Sequence, residues 1–121
     1  MANTFKVVTF AAEPASAGTP YVMYTVASST TAVVLGLVLS NINTTAVNAE
    51  VELVSTTSSR GGANNVANGT SFLIKDVSIP TGSSLEILSG GKVVLEAGDK
   101  IQIDCSVADK LSGTLSIMEI T

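Results

Sequence analysis

The sequence contains no histidine and a single cysteine, Cys105. Without histidine the chain lacks the commonest general base and metal ligand of proteins, so neither a Ser-His-Asp nor a Cys-His triad can be built. One cysteine excludes an intrachain disulfide, and a zinc site needs several Cys or His ligands. Cys105 alternates with Ile101 and Ile103, which predicts a small buried side chain. We therefore expect no enzyme, no cofactor and no metal.

Charged residues are also scarce, at 13% of the 121 residues, and the net charge is −4. The single arginine, Arg60, and the scattered lysines form no basic run, which argues against direct nucleic-acid binding. The longest apolar run, over residues 32–39, is far shorter than the ~20 residues of a membrane-spanning helix. A surface with few charges is poorly soluble when bare. The composition therefore predicts a protein that assembles with itself or with other proteins.

The carboxylates near the C-terminal end raise the alternative of a calcium site. Glu96, Asp99, Asp104 and Asp109 are close in sequence, but their spacing does not match an EF-hand loop. Asp99 follows Gly98 at a predicted turn, and Asp104 takes a polar position of a predicted strand. We expect these four side chains to be solvated surface groups.

Apolar and polar residues alternate in short segments separated by Gly, Pro, Ser and Asn clusters, which is typical of a β-sandwich or barrel. The pattern predicts strands over residues 4–10, 21–26, 31–41, 47–55, 71–78, 83–88, 92–95, 100–106 and 113–120. Helical periodicity and internal repeats are absent. The sequence thus predicts an all-β chain: one antiparallel β-sandwich domain over residues 1–121, jelly-roll or immunoglobulin-like, with eight or nine strands.

The third predicted strand is apolar on both faces. Alternation places Val33, Leu35, Leu37 and Leu39 on one face and leaves the opposite face apolar as well. A strand of this kind is buried on both sides, so its outer face is expected to contact a loop or another subunit. Gly36 within it predicts a bulge or a close backbone approach. The predicted outer-face residues are Ala32, Val34 and Val38.

Residues 56–70 form the longest stretch without a strand pattern. A loop of this length in a compact domain is either functional or an ordinary mobile tip. Its polar composition would suit an adaptable contact surface or an assembly arm. The predicted contact residues in it are Arg60, Asn64, Asn65 and Asn68.

Several segments resemble small β-sandwich virion proteins of tailed bacteriophages, in particular marine and cyanobacterial phages. They are Tyr24-Thr25-Val26 continuing through residues 28–42, residues 73–86 with Ile79-Pro80-Thr81-Gly82, the run Lys92-Val93-Val94-Leu95-Glu96-Ala97-Gly98-Asp99, and residues 119–121. The family pattern has proline after Tyr-Thr-Val, where this chain has Ala27. The resemblance covers most of residues 4–121 and contains no catalytic motif.

The resemblance implies a non-enzymatic virion structural protein, assembled in the host cytoplasm. The first expectation is a capsid decoration or cement protein, a homo-oligomer with a trimer favoured, that binds the major capsid protein or other virion proteins. Its contacts are expected on the outer face of the third strand, in the loop over residues 56–70 and in the N-terminal segment. A tail, neck or fibre-base component is the alternative. A carbohydrate- or receptor-binding module is a second alternative, although an aromatic content of 4% provides few stacking surfaces. Nucleic acid and membrane are not expected partners.

Overall fold

The structure is a computed structural model that describes residues 2–55, 69–88 and 91–121. These residues form nine β-strands and include no helix long and apolar enough to cross a membrane. The strands are β1 (Asn3–Glu13), β2 (Tyr21–Thr25), β3 (Thr31–Asn41), β4 (Val47–Val54), β5 (Thr70–Ile79), β6 (Ser84–Glu86), β7 (Val93–Leu95), β8 (Lys100–Cys105) and β9 (Leu111–Ile120).

The strands form two antiparallel sheets that pack face to face as a sandwich. One sheet has the order β1-β9-β3-β6, with β7 paired to β3 beyond the end of the short β6, and the other has the order β2-β8-β4-β5. The predicted all-β sandwich class is confirmed, and the bounds of β3 agree at both ends. Each strand turns alternate side chains to the inside. The two inner faces share one hydrophobic core, which includes Leu37, Leu39, Val51, Ile103 and Leu115.

The predicted faces of β3 are wrong for Ala32 and Val34. Both side chains are completely buried in the core. Val33 and Leu35, predicted to point inward, face outward instead, and Leu35 is 37% exposed. The reason is a bulge: the pairing with β9 shifts register between Val34 and Gly36, so one inserted residue inverts the alternation. Gly36 predicted either a bulge or a close backbone approach, and the bulge is confirmed. Val38 points outward, as predicted, and is half-buried.

Polar contacts join the two sheets beside β1 and β2. We call the three residues that make them, Lys6, Tyr24 and Glu119, the polar cluster. The Lys6 ammonium lies 2.7 Å from Oε1 of Glu119, and the Tyr24 hydroxyl donates a 2.5 Å hydrogen bond to Oε2 of the same carboxylate. Tyr24 belongs to one sheet, and Lys6 and Glu119 belong to the other. The contacts therefore join the two sheets and pair the charges of Lys6 and Glu119 with each other.

Candidate interaction surface

The outer face of the five-stranded sheet carries a row of apolar side chains that crosses four strands. Phe5 on β1 pairs with Met118 on β9, Met118 with Val33 on β3, and Val33 with Val94 on β7. Residues opposite each other in antiparallel strands share a face, and their Cβ atoms lie about 5 Å apart. The four side chains therefore form one continuous band.

Further apolar residues extend this band along the strands. Val7 pairs with Ser116, which in turn pairs with Gly36 next to the exposed Leu35. One row further, Val38 pairs with Thr114 and with Glu86. We define the outer apolar face as the apolar side chains of all three rows, namely Phe5, Val7, Val33, Leu35, Val38, Val94 and Met118.

The outer apolar face is open to solvent and carries little charge. Phe5, Val7 and Val94 are exposed by 72%, 64% and 61%. With strands about 4.8 Å apart and residues about 3.3 Å apart, it covers on the order of 300 Å². This is comparable to the largest apolar patches of soluble monomers, which are often interaction sites. Among the described strands, the outward positions of β1, β9 and β3 carry no charged residue, and Glu86 marks the rim.

The contacts of the polar cluster keep Lys6 and Glu119 paired on the side of the sheet opposite the outer apolar face. The hydrogen bond with Lys6 and the one from Tyr24 together lower the pKa of Glu119. Burial, followed by the hydrogen bond to Glu119, raises the pKa of Tyr24 well above its ordinary range. The Glu119 carboxylate and the Tyr24 phenol thus keep their ordinary charge states at neutral pH, and Lys6 is held by its ion pair.

A polar cavity lies on the other sheet, beside Asn48, Glu50, Asp76, Asp104 and Ser106. Glu50 and Asp104 are opposite each other on β4 and β8. Oδ1 of Asp104 accepts hydrogen bonds from the backbone N–H of Gly18, at 3.1 Å, and of Cys105, at 2.8 Å. Burial raises the pKa of Glu50, and a hydrogen bond with the Asp76 carboxyl raises it further, whereas Lys75 acts in the opposite direction.

The carboxylates of the calcium alternative have separate structural environments. Asp99 is 2% exposed, and its Oδ2 accepts a 3.0 Å hydrogen bond from the backbone N–H of Glu96. Asp104 lines the polar cavity, and Asp109 occupies a turn with a positive φ of 59°. Over residues 2–55, 69–88 and 91–121, no group of three or more His, Cys, Asp or Glu side chains is placed to hold a metal ion. The prediction that Asp99 and Asp104 are solvated is wrong, because both are buried and bonded to the backbone.

The structure brings together only part of the predicted contact surface. Val38 lies on the outer apolar face, while Ala32 and Val34 lie beneath it in the core. Arg60, Asn64, Asn65 and Asn68 lie outside the described residues.

Sequence reasoning expected contacts in the N-terminal segment without singling out Phe5 or Val7, and it did not assign Val94 to the surface. The signal available for β1 was Phe5 and Val7 alternating with Val8 and Phe10, which makes that strand apolar on both faces.

Comparisons with known proteins identify no family for this chain. No family model matches it, and no curated protein does. Among solved structures, it is similar to a chain from the disulfide-linked pili of Bacillus endospore appendages, with 18% identity and a TM-score of 0.47 over 99% of this chain and 87% of that chain. At this identity and TM-score, the similarity carries no information about function.

Proposed function

We propose that this protein is a non-enzymatic structural subunit of a tailed-bacteriophage virion, and that it decorates the capsid by docking its outer apolar face on the shell. The observation that carries the proposal is the exposure of Phe5, Val7 and Val94 on a sheet face whose central strands present no charge. Fully burying one such side chain contributes about 1.5–3 kcal/mol. The resemblance of the sequence to phage virion proteins is the reason for proposing that the contact forms on a phage particle.

An uncharged sheet face suits a structural contact better than a small-molecule site. Ligand sites are concave and hold a few convergent polar groups, whereas the outer apolar face lies on a sheet. Contacts that form only in the assembled particle stabilise the folded subunit and the shell together by mass action. A subunit with this role needs no catalytic site.

The first test is the composition of purified particles of the phage that encodes the chain, measured by quantitative mass spectrometry. The proposal expects the protein in the virion in hundreds of copies, as a capsid component would be. A small copy number that is a multiple of three or six would instead support the alternative of a tail, neck or fibre-base component. Absence from the particle would refute a virion role.

The second test asks whether the outer apolar face makes the contact. Phe5→Ser is expected to weaken binding of the recombinant protein to particles that lack it by roughly tenfold or more, since it removes a large buried anchor. Phe72→Ser is the matched control, because Phe72 is 45% exposed but belongs to β5 of the other sheet. Co-sedimentation measures both. Equal binding by the two variants would contradict docking through this face.

A further inference from the structure

One edge of β1 is paired with no other described strand. The strand stands at the end of its sheet, and among the described strands it pairs only with β9. The pairing keeps an unbroken register from Asn3 to Phe10. Along the opposite side of the strand, backbone N–H and C=O groups are available to another extended strand.

The other sheet edges formed by the described strands are poorer templates. β2 has five residues with a register shift between Val22 and Tyr24, and β6 and β7 have three residues each. β5 is long, but its pairing with β4 shifts twice, and Asp76 within it has a φ of 52°. Short strands, bulges and charges are devices that prevent edge-to-edge pairing.

Along its regular part, β1 carries only one of these devices, the inward-directed charge of Lys6. It contains no proline or glycine, and Lys6 is its only charged residue between Asn3 and Ala12. A lysine on an edge strand normally discourages pairing. Here the charge of Lys6 is compensated by Oε1 of Glu119, which lies 2.7 Å from the ammonium, while about half of the Lys6 side chain stays exposed. The edge is therefore open to a partner strand.

We infer that β1 of one molecule pairs antiparallel with β1 of a second copy about a twofold axis near Val7, and thereby joins two five-stranded sheets into one. A strand that pairs with this edge over its full length must itself be long, regular and free of repelling charges. Among the described strands, β1 itself is the one that meets this requirement. A twofold contact uses the same surface on both copies and closes at two.

The side chains of β1 favour an axis at Val7. There, Val7 faces its own copy and Phe5 faces Thr9, so two exposed apolar side chains gain cross-strand neighbours. Lys6 then faces Val8. An axis one residue earlier would set the two Lys6 side chains against each other, which is destabilising. The joined sheet would present the outer apolar faces of both copies on one side.

The experiment uses the full chain and measures mass in solution by size-exclusion chromatography with light scattering. The wild type is expected at twice the 12.3 kDa chain mass. Val7→Lys and Val7→Glu are each expected to raise the dimer Kd by roughly tenfold or more, because they place like charges opposite each other. An equal mixture of the two variants should restore the dimer, since opposite charges then meet at the axis.

Two controls separate this contact from others. Val22→Lys alters an exposed valine of β2 in the other sheet and should leave the dimer intact. Val94→Lys alters the outer apolar face far from β1 and should also leave it intact, whereas it would disrupt a dimer formed by stacking of the two outer faces. Circular dichroism of each variant checks that it is folded.

A wild type that is a monomer or a trimer at about 100 µM would overturn the inference, as would failure of the mixed variants to recover the dimer. The result does not depend on the virion. A dimer in solution that does not bind particles would support the strand pairing and refute the proposed function. A monomer that binds particles would support the proposed function and refute the strand pairing.

Discussion

The ring of Phe10 lies directly over the backbone of Gly113, its partner across β1 and β9. A Cβ atom at position 113 would stand 2.2 Å from Cε2 of that ring. The ring has little room to move, since Phe10 is buried and packs edge-on against Tyr21 with ring centroids 5.3 Å apart. Position 113 therefore requires glycine, because any larger side chain would collide with the Phe10 ring.

Gly113→Ala is therefore expected to lower the free energy of unfolding by about 1–3 kcal/mol, the usual range for overpacking a core. Gly36→Ala is the control, because no atom lies within 4 Å of a Cβ built there. We expect it to change stability by less than about 1 kcal/mol. Urea denaturation of both variants provides the measurement. Equal destabilisation would show that the contact with Phe10 is not the cause.

At the scale of the element, Asn41 organises the connection between β3 and β4. Its Nδ2 donates to the carbonyl oxygens of Thr45 and Ile79, both at 2.9 Å, and its Oδ1 accepts from the backbone N–H of Asn43 at 2.7 Å. The residue is 4% exposed. This one side chain ties the end of a strand in one sheet to β5 in the other.

Asn41→Ala is expected to destabilise the fold by about 2–3 kcal/mol, because it leaves buried backbone groups without hydrogen-bond partners. Asn43→Ala removes a neighbouring amide whose hydrogen bonds are exposed and local. Its cost should stay below about 1 kcal/mol. Thermal unfolding followed by circular dichroism compares the two. If Asn43→Ala were the more harmful change, the role given to Asn41 would be wrong.

The strands could be predicted well from the sequence, but the direction of their side chains only in part. The alternation of Val47, Ala49, Val51 and Leu53 predicts an inward face for β4. The first three are buried, and the partly buried Leu53 packs against the core. The same reasoning failed for Ala32 and Val34, because alternation cannot be followed through a bulge whose inserted residue has no signature beyond Gly36. The outer apolar face was partly missed for a related reason: it joins β1, β3, β7 and β9, and strand order is a long-range property.

At the scale of the whole molecule, the polar cavity links stability to pH. The folded-state pKa of Glu50 is raised, first by burial and then by the carboxyl of Asp76. The groups facing it are Asp76, Asp104 and Lys75, whose ammonium lies 3.6 Å from Oε1 of Glu50. Because the folded state then binds a proton more readily than the unfolded state, the free energy of unfolding falls as pH rises through the folded pKa.

Glu50→Gln should therefore make the protein more stable than the wild type at about pH 7, by around 1 kcal/mol, which is the scale of one like-charge contact. The advantage should shrink towards about pH 4, where the wild-type carboxyl is protonated. Glu119→Gln should have the opposite sign, since the pKa of Glu119 is lowered by Lys6 and Tyr24. Its loss at neutral pH should disappear as the pH falls through the folded pKa of Glu119. Urea midpoints at several pH values test both, and a destabilised Glu50→Gln at neutral pH would contradict the assignment.

The burial of Cys105 has a practical consequence. The chain has one thiol, it is 3% exposed at the end of β8, and burial raises its pKa, so it is held as the unreactive protonated form. Modification by a maleimide or an aromatic disulfide reagent would therefore report on transient opening of the sandwich. Under the proposed capsid role, the labelling rate of free subunits compared with that of particle-bound subunits would measure how far attachment suppresses this opening.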